Sequence, residues 1–239
     1  MSFILRAAVV SDIGLVRTNN EDSAHAGRRL LVLADGIGGM PAGELASDIV
    51  VQTLAALDHG PSTDDALSAL RLAAEAANRK ILQVSESDPA NDGMGTTATA
   101  VLLSGDQLAL LHVGDSRGYL VRNGELSQLT KDHTFVQSLV DQGLLTPEEA
   151  RHHPRRSIVT QALQGLEYEP TLTCQPAQLG DRLLLCSDGL SDFVSDDAIG
   201  DTLGSYSDLK QCAEQLVKLA LDAGSTDNVT VVVADVASD

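Results

Sequence analysis

Residues 96–128 read TTATAVLLSGDQLALLHVGDSRGYLVRNGELSQ. Short apolar runs in this stretch are separated by the turn dipeptides Gly105-Asp106, Gly114-Asp115 and Asn123-Gly124. Glycine and asparagine tolerate positive φ, so these turns suit tight hairpins between antiparallel strands. The stretch therefore predicts an antiparallel meander and argues against a doubly wound parallel sheet.

Strands are also predicted on both sides of this meander. They lie in the N-terminal residues 1–12 and in Leu30–Ala34, Arg182–Cys186 and Val229–Ala234. Helical periodicity occurs in three places, where apolar residues recur every three or four positions. The three predicted helices carry Leu45, Ile49, Thr53, Leu54 and Leu57 after Gly43; Leu67, Leu70, Ala74, Ala77, Ile81 and Val84; and Leu209, Cys212, Leu216 and Leu219 before a C-terminal Gly224.

Helices interspersed with antiparallel strands predict an α+β fold in which helices cover a central β-sandwich. With 239 residues and 43% hydrophobic content, the chain is long enough to bury one core, so residues 1–239 are expected to form a single domain. Residues 132–170 interrupt the pattern with charged sequence that includes EEARHHPRRS. This segment is expected to be a surface insertion near a functional site.

The net charge of −18 comes from 34 acidic and 16 basic residues. Such a chain repels nucleic-acid backbones and anionic membrane surfaces, so neither is an expected partner. The charge is explained either by solubility or by carboxylates that cluster around cations, and composition does not decide between them.

Cysteine usage and hydropathy indicate a cytoplasmic protein. Cys174, Cys186 and Cys212 are odd in number and lack the spacing of a disulfide framework or a zinc site. The N-terminus has no cleavage-site pattern, and no apolar run of about 18 residues is present to span a bilayer.

Four aspartates stand where an apolar strand begins or ends. Asp35 follows LLVLA, Asp115 follows ALLHVG, Asp188 follows LLLCS, and Asp227 precedes NVTVVV. Any one of them is explained by the preference of Asp for turns and caps, but the combination is harder to dismiss. Carboxylate, carbonyl and water oxygens suit hard ions such as Mg²⁺ and Mn²⁺, so the four aspartates predict one metal site.

A further polar segment, RTNNED, occupies residues 17–22 after the first strand. Arg17 offers a planar, always-charged fork that matches two phosphate oxygens, although in isolation it would be taken for a surface arginine. Glu21 and Asp22 could orient metal-bound waters or hold loops.

Taken in order, these segments resemble the type 2C metal-dependent protein phosphatases, especially the short bacterial members. The resemblance rests on RTNNED, LADGIGG, GMGTTATAVL, HVGDSRGYLVRNGEL, LTKDHT, LLLCSDGLSD and TDNVTVVV, which span nearly the whole chain. It implies two antiparallel sheets flanked by pairs of helices, in α-β-β-α layers, with a flap at about residues 136–170. It also implies hydrolysis of phosphoserine and phosphothreonine in proteins.

The resemblance further implies a role for each polar residue. Two ions, Mn²⁺ or Mg²⁺, are expected with a third beside them, and Arg17 takes the phosphate-binding place. Asp35 would bridge two ions, the Gly36 carbonyl and a water oriented by Glu21 would serve one, and Asp188 and Asp227 the other. Asp115, with Asp188, matches the third-ion position, and Asp22 and Asn228 lie in the supporting layer.

The residue that protonates the leaving alkoxide is not identified by the sequence. Relatives often carry a histidine in or just after the DGxGG loop, where this chain has Ile37 and Met40. Either a metal-bound water or another group such as His133 would act, and a loop-fixing role for His133 is an equal alternative.

Two other functions stay open at this point. One is a non-catalytic pseudophosphatase that binds phosphoprotein or metal, and the other is a hydrolase of small phosphate esters. The expected partners of an active enzyme are phosphorylated proteins, the substrates of a serine/threonine kinase, and the chain is expected to act as a monomer.

Overall fold

The computed structural model describes residues 2–37, 42–60 and 65–239. Within these residues it contains ten strands: β1 (Phe3–Asp12), β2 (Asp22–Ala26), β3 (Leu30–Asp35), β4 (Ala98–Ser104), β5 (Gln107–Val113), β6 (Arg117–Arg122), β7 (Glu125–Gln128), β8 (Thr171–Pro176), β9 (Arg182–Cys186) and β10 (Val229–Ser238). They form two antiparallel sheets of five strands each. Sheet I has the order β1-β10-β9-β6-β7, and sheet II has the order β2-β3-β4-β5-β8.

Two helix pairs cover the outer faces of the sandwich. The first pair is α1 (Gly43–His59) and α2 (Ala66–Ser87), which pack on sheet II. Shorter helices follow at α3 (Phe135–Asp141), α4 (Pro147–Arg151) and α5 (Asp188–Ser191). The second pair is α6 (Asp196–Ser205) and α7 (Leu209–Asp222), which pack on sheet I. This arrangement confirms the predicted α+β class and the α-β-β-α layers.

The central strands are mainly apolar because both of their faces are buried. In β3, Leu30 and Val32 pack against the α1–α2 layer, whereas Leu31 and Leu33 pack between the two sheets. Successive side chains of a strand point to opposite faces, so a strand inside a four-layer fold needs an unbroken apolar run. Each leucine buried in this way contributes about 1.5–3 kcal/mol relative to an exposed one.

Two of the three predicted hairpin turns are present. Gly105 has φ +62° between β4 and β5, and Asn123 and Gly124 have φ +54° and +82° between β6 and β7. The angles of Asn123 and Gly124 fit a type I′ turn, whose twist matches that of the flanking strands.

The hairpin predicted at Gly114-Asp115 is wrong. β5 belongs to sheet II and β6 to sheet I, so the chain crosses between the sheets here instead of reversing within one. Gly114 has φ +107°, and a Cβ on it would lie 2.6 Å from Cγ2 of Thr97. Glycine is therefore required here because the backbone passes close to Thr97, just before β4. The local sequence does not distinguish such a glycine from one in a hairpin turn.

The three predicted helices are present as α1, α2 and α7. Gly224 has φ +89° just beyond α7, as predicted for its C-terminus. Leu45 was predicted on the buried stripe of α1 but is 39% exposed, and the buried face carries Ala46 and Val50 instead. Helix α6 was not predicted, and neither were the short helices α3, α4 and α5 or strands β2 and β8.

The predicted flap segment, residues 136–170, contains α4 and most of α3. Near its end, the side chain of Asn78 on α2 accepts the N–H of Gly165 at 2.7 Å and donates to the carbonyl of Leu166 at 2.8 Å. Leu163 forms a bridge with Thr96, which in turn bridges Gly36. In the described ranges, no helix has both the length and the apolar character needed to cross a bilayer.

Candidate active site

Five aspartates interact at the ends of strands from both sheets. Burial raises the pKa of Asp35 well above its ordinary value, and the charges of Asp22, Asp188, Asp115 and Asp227 raise it further. Burial likewise raises the pKa of Asp188, with Asp115 as its strongest charged neighbour among the five. The structure thus brings the four predicted metal-ligand aspartates, together with Asp22, into one acidic cluster.

Desolvation is the main reason why the pKa values of Asp22, Asp35, Asp115 and Asp188 are raised. It raises the pKa of Asp22 to about 6 and that of Asp115 to about 7. Carboxylates that are crowded together and shielded from water favour the protonated form unless a cation neutralises them. The cluster therefore has the electrostatic character of a cation site.

Asp35 is held at the end of β3 by its own backbone. Its N–H donates to Oγ1 of Thr97 at 2.9 Å, and its carbonyl accepts from the N–H of Thr97 and from Oγ1 of Thr96. The next N–H, that of Gly36, donates to the carbonyl of Glu21. These bonds fix the Asp35–Gly36 corner relative to the RTNNED segment.

Asn228 connects three segments of the site. It is 4% exposed; its side chain accepts the N–H of Glu21 at 2.9 Å and donates to the carbonyls of Ile13 and Asn19. The adjacent Asp227 is thereby tied to the loop that carries Glu21. A role for Asn228 in supporting the site is consistent with these contacts.

Arg17 lies beside the cluster and pairs with one of its aspartates. Nη2 donates to Oδ2 of Asp227 at 2.7 Å, and both side chains are about one-third exposed. This hydrogen bond is the main reason why the pKa of Arg17 is raised. The guanidinium therefore stays charged, and it is accessible to an anion that approaches from solvent.

Asp22 has an oxygen atom that lacks a hydrogen-bond partner. Its Oδ2 accepts from Oγ of Ser187 at 2.8 Å, but its Oδ1 is buried and is one of two buried side-chain polar atoms in the described residues without such a partner. A buried carboxylate oxygen without a partner costs free energy, which a cation or a water held by a cation would recover. The donor set therefore fits a hard divalent ion.

Within the described ranges, no group of three or more His, Cys, Asp or Glu side chains is arranged to hold one ion by itself. Sites for Mg²⁺ and Mn²⁺ commonly combine one or two carboxylates with a carbonyl and several waters. The cluster fits an ion bound in that way better than one enclosed by side chains.

A cavity of about 170 Å³ adjoins the cluster under α3 and α4. Asp115 and Asp188 line it, together with Asp132 and Asp192, which the sequence analysis did not single out. Asp192 follows Asp188 by four residues, and this helical spacing was the available signal. Arg117 binds Asp132 with two nitrogens at 2.7–3.1 Å, whereas Asp192 is held by a single longer contact, from Nε of Arg156 to its Oδ2 at 3.3 Å.

Neither Ile37 nor His133 provides an obvious proton donor. Ile37 has no titratable group, and Met40 lies outside the described residues. His133 accepts the N–H of Gly114 at Nδ1 and contacts Oγ1 of Thr171 through Nε2. Both ring nitrogens are thus engaged, which favours the loop-fixing alternative for this residue.

Comparison with known proteins assigns the family. The chain matches protein phosphatase 2C over residues 16–228. It is 56% identical to the serine/threonine protein phosphatase PstP of Mycobacterium tuberculosis over 236 residues, which cover 99% of this chain and 46% of PstP. It is 39% identical to the protein phosphatase PhpP of Streptococcus pneumoniae, over 95% of this chain and 96% of PhpP. The chain therefore belongs to the protein phosphatase 2C family, and it spans about half the length of PstP.

The solved structures agree with the fold. The crystal structure of the PstP catalytic domain in complex with two manganese ions superposes with a TM-score of 0.93 at 54% identity. The match covers 99% of this chain and 100% of that chain. The family resemblance stated from the sequence is thereby confirmed.

Proposed function

We propose that this chain is a metal-dependent phosphatase that hydrolyses phosphoserine and phosphothreonine in proteins. The observation that carries the proposal is the acidic cluster, in which burial and mutual repulsion raise the pKa of Asp35 and Asp188 beside the accessible guanidinium of Arg17. Membership of the protein phosphatase 2C family and the manganese ions of the PstP catalytic domain support it.

In this proposal, the residues keep the roles implied by the sequence. Asp35 bridges two ions, the Gly36 carbonyl serves one, and Asp188 and Asp227 serve the other. Divalent ions bound in this way lower the pKa of a water and neutralise phosphoryl oxygens. Asp115, with Asp188, is proposed to hold a third ion, and either Mn²⁺ or Mg²⁺ suits the oxygen donors.

Arg17 is proposed to bind the phosphate of the substrate. The Arg17 guanidinium donates to the carboxylate of Asp227 in this structure. When that carboxylate turns to bind a cation, the guanidinium would be free to donate to the phosphate instead. Glu21 is proposed to orient a water of one ion, because its backbone is fixed by Asn228 and by Gly36. Asp22 is proposed to support the same shell through its unpartnered Oδ1.

We also propose the wider setting that the sequence predicted. Residues 1–239 would act as one catalytic domain, with residues 136–170 as the flap beside the cleft. The substrates would be phosphoproteins made by a serine/threonine kinase, and the protein would act as a monomer in the cytoplasm. The three cysteines all lie in described residues and are free thiols, which is compatible with a reducing compartment.

The test is hydrolysis of a phosphothreonine peptide during a Mn²⁺ titration, with and without chelator. Asp35→Asn is expected to lower turnover by at least about 100-fold, because loss of a ligand exceeds the cost of losing an outer contact. Asp106→Asn is the matched control, since Asp106 is exposed at the opposite end of β5 from Asp115. Equal losses in both variants would contradict the assignment.

Two further measurements, made beside the peptide assay, separate the two alternatives. A pseudophosphatase would bind Mn²⁺ in calorimetry and leave the peptide intact. A small-ester hydrolase would cleave p-nitrophenyl phosphate but not the peptide. Chelator-sensitive release of phosphate from the peptide would exclude both.

A further inference from the structure

His133 forms hydrogen bonds with both backbone polar groups of Gly114, the residue before Asp115. Its own N–H donates to the carbonyl of Gly114 at 2.7 Å, and its Nδ1 accepts the N–H of Gly114 at 3.2 Å. Gly114 is buried at the crossing between the two sheets and directly precedes Asp115. This reciprocal pair therefore fixes the backbone that carries a proposed ligand of the third ion.

The contacts allow only one form of the His133 ring. Nδ1 accepts a hydrogen bond from an N–H, so it carries no proton, and the single proton of the neutral ring is on Nε2. Nε2 then donates to Oγ1 of Thr171, at the start of β8, at 3.0 Å. The N–H of Gly114 thus sets the tautomer, and the Thr171 hydroxyl, which can donate or accept, serves as the acceptor for Nε2.

A second set of buried hydrogen bonds joins this corner to Asp35. Oγ of Ser116 and Oγ1 of Thr97 lie 2.8 Å apart, and Thr97 also accepts the N–H of Asp35. The ring of His112 lies against that of His133 with centroids 4.8 Å apart, and His112 contacts Thr99. The two loops that carry Asp35 and Asp115 are therefore held relative to each other by buried polar side chains.

We infer that His133 is a positioning residue, which orients Asp115 for cation binding because its Nε2-protonated ring fixes Gly114 while Thr171 holds the opposite side of the ring. The inference rests on the proposed function, because it assumes that Asp115 holds an ion. His133 also accepts the N–H of Thr160 through its carbonyl, so the same residue ties the flap's C-terminal part to the Asp115 corner.

Two substitutions at this position separate the acceptor from the bulk of the ring. In His133→Asn, the side-chain oxygen takes the place of Nδ1 and still accepts from Gly114. In His133→Leu, no acceptor is left. Loss of an outer-shell partner typically costs 10–100-fold in metal affinity. In His133→Leu, we therefore expect a loss of about that size in the Mn²⁺ binding step that Asp115→Asn also weakens. In His133→Asn, we expect the affinity of the same step to fall by about 3-fold or less.

The readouts are Mn²⁺ titration calorimetry, with Asp115→Asn to identify the step, and hydrogen exchange of the Gly114 amide. We expect Gly114 to be protected in the wild type and in His133→Asn but to exchange faster in His133→Leu. A residue that only stabilised the fold would lower the free energy of unfolding when replaced, but it would leave the Mn²⁺ affinity of the folded protein unchanged.

Thr171→Val provides a second variant if His133→Leu does not fold. It removes the partner of Nε2 and is expected to weaken the same Mn²⁺ step by about 5-fold, the equivalent of one ordinary hydrogen bond. Thr173→Val is the control, because Thr173 lies on the same strand and is exposed.

The outcomes are distinguishable. A wild-type protein that takes up no Mn²⁺ overturns the proposed function and the inference together. The inference alone is overturned if the wild type binds Mn²⁺ and hydrolyses the peptide while a folded variant keeps the wild-type Mn²⁺ affinity. Either His133→Leu or Thr171→Val would suffice for this result. A ring protonated on Nδ1 in ¹⁵N spectra of the wild type would do the same.

Discussion

His112 makes the free energy of unfolding fall at acidic pH, and one substitution separates its contribution from that of the other titrating groups. The ring is fully buried, Nε2 donates to the carbonyl of Lys131 at 3.1 Å, and Nδ1 contacts Oγ1 of Thr99. Burial lowers the pKa of His112 from 6.5 to about 3. The ring in the folded protein is therefore neutral between pH 5 and pH 8.

The sign and the size of the effect follow from linkage. Below the unfolded-state pKa of 6.5, the unfolded chain binds a proton on His112 and the folded protein does not, so the free energy of unfolding falls as the pH falls. Each pKa unit corresponds to 1.36 kcal/mol. Between pH 8 and pH 5, His112 is expected to remove about 2 kcal/mol of stability.

The assay is urea unfolding of the wild type and of His112→Gln in chelator at pH 8 and pH 5. The variant is expected to be less stable at pH 8, because a buried hydrogen bond and packing are lost, but the gap is expected to shrink by about 2 kcal/mol at pH 5. The carboxyl groups titrate in both proteins and cancel in the comparison. His59→Gln, at an exposed position, is the control. A gap that stays constant between the two pH values would refute the reasoning.

Three further outcomes are expected. Asp58→Ala should lower the free energy of unfolding by about 2–3 kcal/mol in urea titrations, because the N–H groups of Arg29 and Leu30 lose their shared acceptor. Asn78→Ala should cost about 2 kcal/mol and speed hydrogen exchange at the Gly165 amide, since the clamp on that loop is removed. Arg17→Met should weaken inhibition by inorganic phosphate by about 10–100-fold without weakening Mn²⁺ binding, as measured by product inhibition and calorimetry, because the substitution removes the fork but frees Asp227.

The elements that could be predicted from the sequence are those that bury the most apolar surface. β3, β9 and β10 are apolar on both faces, and α2 has a clear stripe that includes Leu70, Ala74 and Ile81. The strand patterns are strong because layers cover both faces of these strands, and the α2 stripe is clear because only one side of that helix is buried.

The elements that were missed depend on contacts distant in sequence. α6 contains two glycines, Gly200 and Gly204. Its buried apolar side chains are Ile199 and Leu203, which are too few to show a helical period in the sequence. Gly200 packs close to Leu126 of β7, which offsets its low helix propensity. β2 and β8 are edge strands with few buried side chains, so their pairing comes from the neighbouring strand.

The same distinction holds at the site. Asp35 and Asp188 could be singled out because each directly follows an apolar run. The supporting side chains could not, since Thr97 meets Ser116 across 19 residues and Asn228 meets Glu21 across 207. Gly114 gave a misleading signal, because a glycine required by close packing has the same local appearance as one required by a hairpin.

The order of strands in sheet I also determines when the acidic cluster can form during synthesis of the chain. β10 is the last strand of the described residues, yet it lies between β1 and β9. β1 therefore leaves the ribosome long before its hydrogen-bonding partner exists, and pairing across such a separation is slow. Asp227 comes immediately before β10, so the acidic cluster is completed at the same late step. A nascent chain thus remains without its full set of carboxylates until translation of this segment is finished.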